Sequence, residues 1–298
     1  MQIGVSSYSF SGMTRNGRMK EIECIAKAKE MGFDCIEFST LQQIPEGMDI
    51  MDYAKQLREE ADRVGIPIMN FTQGADLLSG SEGDLNAEIK KVEKLIDVAE
   101  ILGAPGFRHD ATRGKFPEGW QGAKTFDAAL PRLAGACREI TQYAKAKGIR
   151  TMVENHGYFA QDAIRVEKLV SAVDDSNFGV LLDIGNFACA DDVVEKSVGM
   201  LAPLAFHCHA KDFHIKSGME PWPGRGWGMT RSGNWIRGAI IGHGSLPIAQ
   251  QVRAIVKSGY DGVFSVEFEG IEDTLLGIEL GGKNLRRFVQ MAQTYDKD

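Results

Sequence analysis

Eight short apolar runs, each followed by a longer segment with apolar residues at helical spacing, succeed one another along the 298 residues. The runs begin at about residues 3, 34, 66, 104, 149, 178, 204 and 263. Helices are expected at 18–31, 52–64, 85–102, 128–147, 161–173, 192–201, 246–257 and 274–295. The third is the clearest, with Leu85, Ile89, Val92, Leu95, Ile96 and Ala99 on one face. Glycines at 32, 65, 103 and 148 stop four of them. Ser245 is the expected N-cap of 246–257, and Gly281 and Gly282 mark a soft spot in the last helix. Strict strand–helix alternation requires a parallel sheet covered by helices. Eight units in a chain of this length fit a closed (β/α)8 barrel better than an open doubly wound sheet. The turn after the first run, S-S-Y-S-F-S-G, lacks the G-x-G-x-x-G of a dinucleotide site. With no Pro/Gly/Ser linker to divide it, 1–298 reads as one barrel domain.

Composition narrows the function. A net charge of −7 argues against a nucleic-acid surface. No apolar run is long enough to span a membrane, and MQIGVSSYSF does not read as a secretory signal. The five cysteines are scattered, with no CxxC pair, as expected of reduced thiols in a cytoplasmic protein.

In a parallel barrel the strands' C-terminal ends meet at the active face. Of the six histidines, three fall within L-A-F-H-C-H-A-K-D-F-H, at the seventh strand. Strand alternation puts His207, His209 and Lys211 on one face and Phe206, Cys208 and Ala210 on the other. The fifth strand ends in Glu154, Asn155 and His156, the sixth in Asp183 with Asn186 beyond, and the eighth in Glu267 and Glu269. A carboxylate directed into a barrel needs a partner, and a cation is the simplest one. Glu154, Asp183, His209 and Glu267 offer three oxygens and one nitrogen from four adjacent strands. That donor set suits a divalent ion, Mn²⁺ first, with Mg²⁺, Co²⁺, Fe²⁺ or Zn²⁺ as alternatives.

The motifs V-E-N-H-G, L-L-D-I-G-N, H-C-H-A-K-D and S-V-E-F-E-G, in that order and at strand ends, resemble those of the sugar phosphate isomerase/epimerase family. This is the xylose isomerase-like TIM-barrel group, which includes ketose 3-epimerases, inosose dehydratases and, more distantly, endonuclease IV. The resemblance implies that Glu154, Asp183, His209 and Glu267 are metal ligands. It also implies a ketosugar or polyol substrate, isomerised or epimerised by proton abstraction beside a carbonyl through an enediolate. Glu154 and Glu267 would then be the proton-transfer pair, with Lys211 and His156 as further catalytic candidates. A lyase or dehydratase acting on a 3-oxo-glycoside or inosose would use the same enolisation. The family also departs here: Asn186 stands where several members carry a histidine, and Ile215 where epimerases place an arginine. An endonuclease IV-like repair enzyme needs three metals and more histidines than this chain assembles.

The segment 213–245 carries eight glycines, Trp222, Trp227 and Trp235, and more basic than acidic residues. It reads as a lid over the mouth. A second loop, 109–127, contributes Arg113, Lys115 and Trp120. His109, Asn186, His207, Trp222, Trp227, Arg225 and His243 are the expected substrate-binding residues, for a small sugar or glycoside. The same loops also suit contacts between subunits of a homo-oligomer.

Overall fold

The computed structural model describes residues 1–295. Eight parallel strands close into a barrel: β1 (Gln2–Ser6), β2 (Cys35–Phe38), β3 (Ile68–Gln73), β4 (Gly106–His109), β5 (Arg150–Glu154), β6 (Phe178–Asp183), β7 (Ala205–Ala210) and β11 (Val263–Val266). Each is followed, directly or after an insertion, by one of eight long helices. These are α1 (Glu23–Glu30), α2 (Ile50–Val64), α3 (Leu85–Leu102), α4 (Phe126–Lys145), α5 (Ala163–Val173), α6 (Val194–Leu201), α7 (Ile248–Lys257) and α8 (Thr274–Tyr295). The expected (β/α)8 architecture is therefore the observed one. None of the described helices is long and apolar enough to cross a membrane. All five cysteines are free thiols.

Local chemistry sets most boundaries. The Asp49 carboxylate accepts the Met51 amide at the start of α2, and Asp84 and Asp162 do the same for α3 and α5. Gly65 and Gly103 end α2 and α3 with positive φ of 72° and 70°, a region where a Cβ is costly. Three expectations fail for tertiary reasons. Helix α1 starts at Glu23 rather than 18, because the buried Glu21 carboxylate accepts from the Gln42 and Gln43 amides. Ser245 does not cap α7, since its hydroxyl accepts from the Ile215 amide and Pro247 occupies the N-cap. Gly281 and Gly282 do not soften α8, which is continuous. They bring it close to Ile241 and to the Phe33 ring, 2.9 Å from where a Cβ on Gly282 would sit.

The segment after β7 is not a loose loop. It forms a small antiparallel sheet of β8 (Asp212–Lys216), β9 (Gly228–Met229) and β10 (Trp235–Ala239), ordered β8-β10-β9. Asp212, Phe213, Ile236, Gly238 and Ala239 are its buried residues.

The barrel's two faces differ in chemistry. Outward residues such as Phe38, Phe71, Phe107, Val180, Leu182 and Phe264 are buried under the helices. The interior is polar: Glu37, Asn70, Arg108, Glu154, Asp183, His207, His209 and Ser265 are all buried there. The apolar layer between sheet and helices carries the stability, at roughly 25 cal/mol per Å² of apolar surface removed from water.

Two glycines test this packing. Replacing Gly282 with leucine should destabilise the fold by about 1–3 kcal/mol by forcing a side chain into the Phe33 ring. Gly135 in α4 has open space around its Cβ position, and Gly135→Ala should stabilise by about 0.5–1 kcal/mol. Urea unfolding followed by circular dichroism reads both signs.

Candidate metal centre

Because all barrel strands run the same way, the ends of β5, β6, β7 and β11 bring their side chains to one rim. Ligand atoms of Glu154, Asp183, His209 and Glu267 lie within 4.8 Å of one another. The His209 Nδ1 atom faces the carboxylates, 3.6 Å from Glu267 Oε2, 3.9 Å from Glu154 Oε1 and 4.0 Å from Asp183 Oδ2. Its other nitrogen, Nε2, lies 2.5 Å from Glu37 Oε1 at the end of β2. That contact fixes the ring so that Nδ1, not Nε2, is presented to the carboxylates.

Hydrogen bonding hold each carboxylate in place. Glu154 receives Arg108 Nη2 at 2.5 Å on Oε2 and Asn186 Nδ2 at 2.8 Å on Oε1. Asp183 Oδ1 accepts the amides of Gly185 and Asn186, at 2.8 and 3.0 Å. Lys211 Nζ reaches Glu267 Oε2 at 2.6 Å, Asp183 Oδ2 at 3.2 Å and Glu269 Oε1 at 3.3 Å. Within this four-residue cluster, two buried atoms make no hydrogen bond to the described residues: His209 Nδ1 and Asp183 Oδ2, the latter despite the nearby lysine. Both point into the same cluster. Burial, reinforced by the Glu154 and Glu267 charges, pushes the Asp183 carboxyl up to about 6. Three oxygens and an imidazole nitrogen, with two of those atoms unsatisfied and negative charge in excess, fit a divalent cation.

Below this cluster lies a second polar layer. Glu37 is fully buried and joins both histidines of β7, with Oε2 3.1 Å from His207 Nε2 and 3.2 Å from Asn70 Nδ2. His207 Nε2 also lies 2.8 Å from Ser265 Oγ. Although burial opposes it, the two imidazoles hold Glu37 ionised, well below the usual carboxylate range.

The structure sorts the other expected residues. Lys211 and Asn186 stand at the centre, and Asn186 bridges Glu154 and Lys211. His156 sits at the mouth, its Nδ1 2.9 Å from Asp110 Oδ1. Five of the remaining residues, and His207, are not where substrate binding would need them. His109 follows the inward Arg108 by one residue and so points out of the barrel, buried between the Phe107 and Phe178 rings at 6.3 and 6.2 Å. His207 is one pleat below His209 and is sealed beneath Glu37. His243 is exposed in the turn after β10, where Asp212 gathers the amides of Gly242 and Gly244. Trp222 and Arg225 are exposed and line neither cavity at the mouth. Trp227 supports the Arg237 guanidinium at 5.7 Å instead of lining the mouth.

Sequence reasoning missed Glu37 and Arg108. The signal for Glu37 was an acid at an inward position of D-C-I-E-F, and for Arg108 a cation near the end of the fourth strand.

Two adjoining cavities open at this rim. The inner one, about 280 Å³, has Glu154, His209, Lys211 and Glu267 in its walls, together with Tyr8 and Arg108. The outer one, about 540 Å³, lies beneath the insertion.

Glu37→Gln should weaken divalent-ion affinity about 10- to 100-fold while the chain stays folded, because the amide no longer orients His209 as the carboxylate does. A Co²⁺ titration followed by visible absorption measures this directly.

The comparisons agree with this geometry. The family model described as "Xylose isomerase-like TIM barrel" matches residues 25–287. The "Uncharacterized protein MJ1311" of Methanocaldococcus jannaschii is 25% identical over 295 residues, covering 94% of this chain and 88% of that protein. Among solved structures, an L-ribulose 3-epimerase superposes with a TM-score of 0.73 at 17% identity, covering 99% of this chain and 97% of its own. The probable 3-DHS dehydratase AsbF from Bacillus anthracis gives 0.72 at 17% identity, covering 96% and 99%. Barrel closure, strand order and a family model spanning most of the sequence lead to one assignment: the chain belongs to the xylose isomerase-like TIM barrel family.

Proposed function

We propose that the protein is a divalent-metal-dependent isomerase or epimerase of a ketosugar or related polyol, working by proton transfer beside a carbonyl. The observation that carries this is the convergence of Glu154, Asp183, His209 and Glu267 at the floor of a sugar-sized cavity. The fold neighbours include proteins named as an L-ribulose 3-epimerase and a D-psicose 3-epimerase. Mn²⁺ is the ion of choice for loading, since the donor set is oxygen-rich with one imidazole.

A cation held by these four residues supplies Lewis acidity toward a carbonyl and its neighbouring hydroxyl. The rest is the work of the chain. Glu154 and Glu267 belong to β5 and to the residue after β11, and β6 and β7 separate these strands in the barrel. One carboxylate removes the proton from the carbon beside the carbonyl, and the other returns it to the opposite face. Arg108 and Asn186 hold the plane of the Glu154 carboxylate. Lys211, buried and positively charged, holds Glu267 and stabilises negative charge developing on the sugar oxygen. His156, braced by Asp110, presents Nε2 to the mouth as a hydrogen-bond donor or acceptor for a hydroxyl. Of the two carboxylate–histidine clusters among the described residues, the one of Glu37, His207 and His209 already has its acid paired with both imidazoles, so the Glu154, Asp183, His209 and Glu267 set is the one read here as the cation site.

Loading the metal-free protein with Mn²⁺ at a hundredfold over its Kd should stabilise it by about 2.7 kcal/mol and raise Tm by roughly 5 °C or more, read by scanning calorimetry. In D₂O the Mn²⁺-loaded enzyme should exchange the proton beside the carbonyl of its ketosugar. Glu154→Gln and Glu267→Gln should each slow that exchange by about 10²–10⁴-fold, as followed by NMR. Full exchange in both variants would remove the carboxylates from the reaction. The same spectra tell an epimerised sugar from the two fragments a lyase would release.

A further inference from the structure

The barrel is also open at its opposite end, where the strands begin. A cavity of about 380 Å³ enters there, with Gln2, Arg150, Met152, Phe206, His207 and Val263 in its walls. Gln2, Arg150 and Val263 are the first residues of β1, β5 and β11. We infer that this floor cavity is a ligand site of its own. Its ligand is a small aromatic carboxylate that carries a hydroxyl or N–H group at the far end of the ring. The site is separate from the metal centre and does not depend on the reaction proposed there.

A bulge in β7 shapes the wall. Val180 pairs with Ala205 and Leu181 with His207, so Phe206 is one residue extra. Simple alternation along β7 would send its ring outward with Cys208. Instead the ring lies against Gly179, 2.8 Å from where a Cβ on that residue would sit. Gly179 shares its face of β6 with Asp183, so the ring stands at the barrel floor. Arg150 lies on the face of β5 that carries Glu154. Its guanidinium covers the Phe206 ring, 4.8 Å from the centroid, which fixes an otherwise mobile side chain at the cavity.

Two polar groups of this wall lack partners. The Arg150 side chain makes no hydrogen bond or ion pair among the described residues, so its N–H groups remain free. Asp261, the acid in the same wall, is held instead by the Met1 amine at 2.7 Å. His207 is only 3% exposed. Its Nε2 lies 2.8 Å from Ser265 Oγ and 3.1 Å from Glu37 Oε2, while its Nδ1 has no partner among the described residues. The Glu37 carboxylate is ionised and can only accept, so Nε2 carries the proton toward it. The neutral ring then offers the Nδ1 lone pair to the cavity. A buried polar atom left in this way needs a donor.

The lining selects the ligand. A free guanidinium beside a neutralised acid repels a cation and attracts an anion. A phosphate group needs several convergent donors, and Arg150 is the one lysine or arginine in this wall. A planar carboxylate matches a single guanidinium fork. Behind it Met152, Val263 and Phe206 give apolar surface suited to a flat ring. His207 Nδ1 then asks for an O–H or N–H on the end of that ring remote from the carboxylate. The volume falls within the range of small-molecule sites, roughly 300–1,000 Å³.

The test titrates the full chain, loaded with diamagnetic Mg²⁺, with 4-hydroxybenzoate, benzoate and phenol. Calorimetry gives the affinities, and NMR of the methionine methyl groups gives the place. The Met152 methyl is the reporter, since it lies 3.0 Å from where a Cβ on Gly106 would sit in the cavity wall. 4-Hydroxybenzoate should shift this methyl and bind at least about tenfold more tightly than either benzoate or phenol, each of which lacks one anchor. Arg150→Gln should weaken 4-hydroxybenzoate and benzoate by about tenfold or more and leave phenol unchanged. Binding of none of the three, equal binding of all three, a response that spares the Met152 methyl, or a folded Arg150→Gln variant that binds as the wild type does overturns the site. Inorganic phosphate that binds more tightly than 4-hydroxybenzoate and loses this advantage in Arg150→Gln overturns the ligand class. Should Arg150→Gln fail to fold, the three compounds and the Met152 signal decide alone.

Discussion

The crowding of three carboxylates about one point inside a closed barrel is the constraint on which this structure turns. Glu154, Asp183 and Glu267 come from strand ends that barrel closure leaves no freedom to separate. Burial, with the repulsion of the neighbouring Glu154 and Glu267 charges added, pushes the Asp183 carboxyl above its ordinary range. The chain answers with two buried cations. Arg108 binds Glu154 from one side, and Lys211 binds Glu267 from the other. Neither satisfies Asp183 Oδ2 or His209 Nδ1, and that residual need is what makes the rim a place for a further positive charge.

Much of the barrel interior exists to support that rim. Glu37 sits at its centre, touching His209, His207 and Asn70, and Ser265 completes the layer through His207. A hydrophobic filling of this volume would be easier to stabilise, because buried ionic networks seldom repay their desolvation. Stability is drawn instead from the outer layer, where Phe71, Phe107, His109 and Phe178 pack in a row beneath the helices. The division of labour follows the pleat. One face of every strand builds the fold and the other builds the site.

The insertion after β7 shapes what can reach that site. It leaves the barrel immediately beyond Lys211, returns through β10, and is pinned to the rim at Asp191 and Gly270. Its tryptophans do not line the mouth. Trp227 stiffens Arg237, Trp235 donates to the Glu220 carbonyl, and Trp222 is exposed. The expected lid is therefore a fixed sheet, and the mouth beneath it is open in two chambers.

The periodicity of the chain was enough to determine a parallel sheet covered by helices, and eight units with stops such as Gly65 and Gly103 favoured a closed barrel over an open doubly wound sheet. Parity along the strands was enough to bring Glu154, Asp183, His209 and Glu267 to one rim, because alternation is a local property of extended backbone. Partners across the barrel are not local. Glu37 is a lone acid on a four-residue strand, and only closure of the sheet puts it 2.5 Å from a histidine 172 positions away. Arg108 and His109 are neighbours in sequence with opposite destinations, and the register of β4 against its two neighbours decides which one enters the barrel. The loop residues Trp222, Arg225 and His243 carry no such register, so composition alone suggested a sugar-binding role. Their placement came from the folding of the insertion into a sheet of its own, a long-range outcome set by which backbone edges it meets.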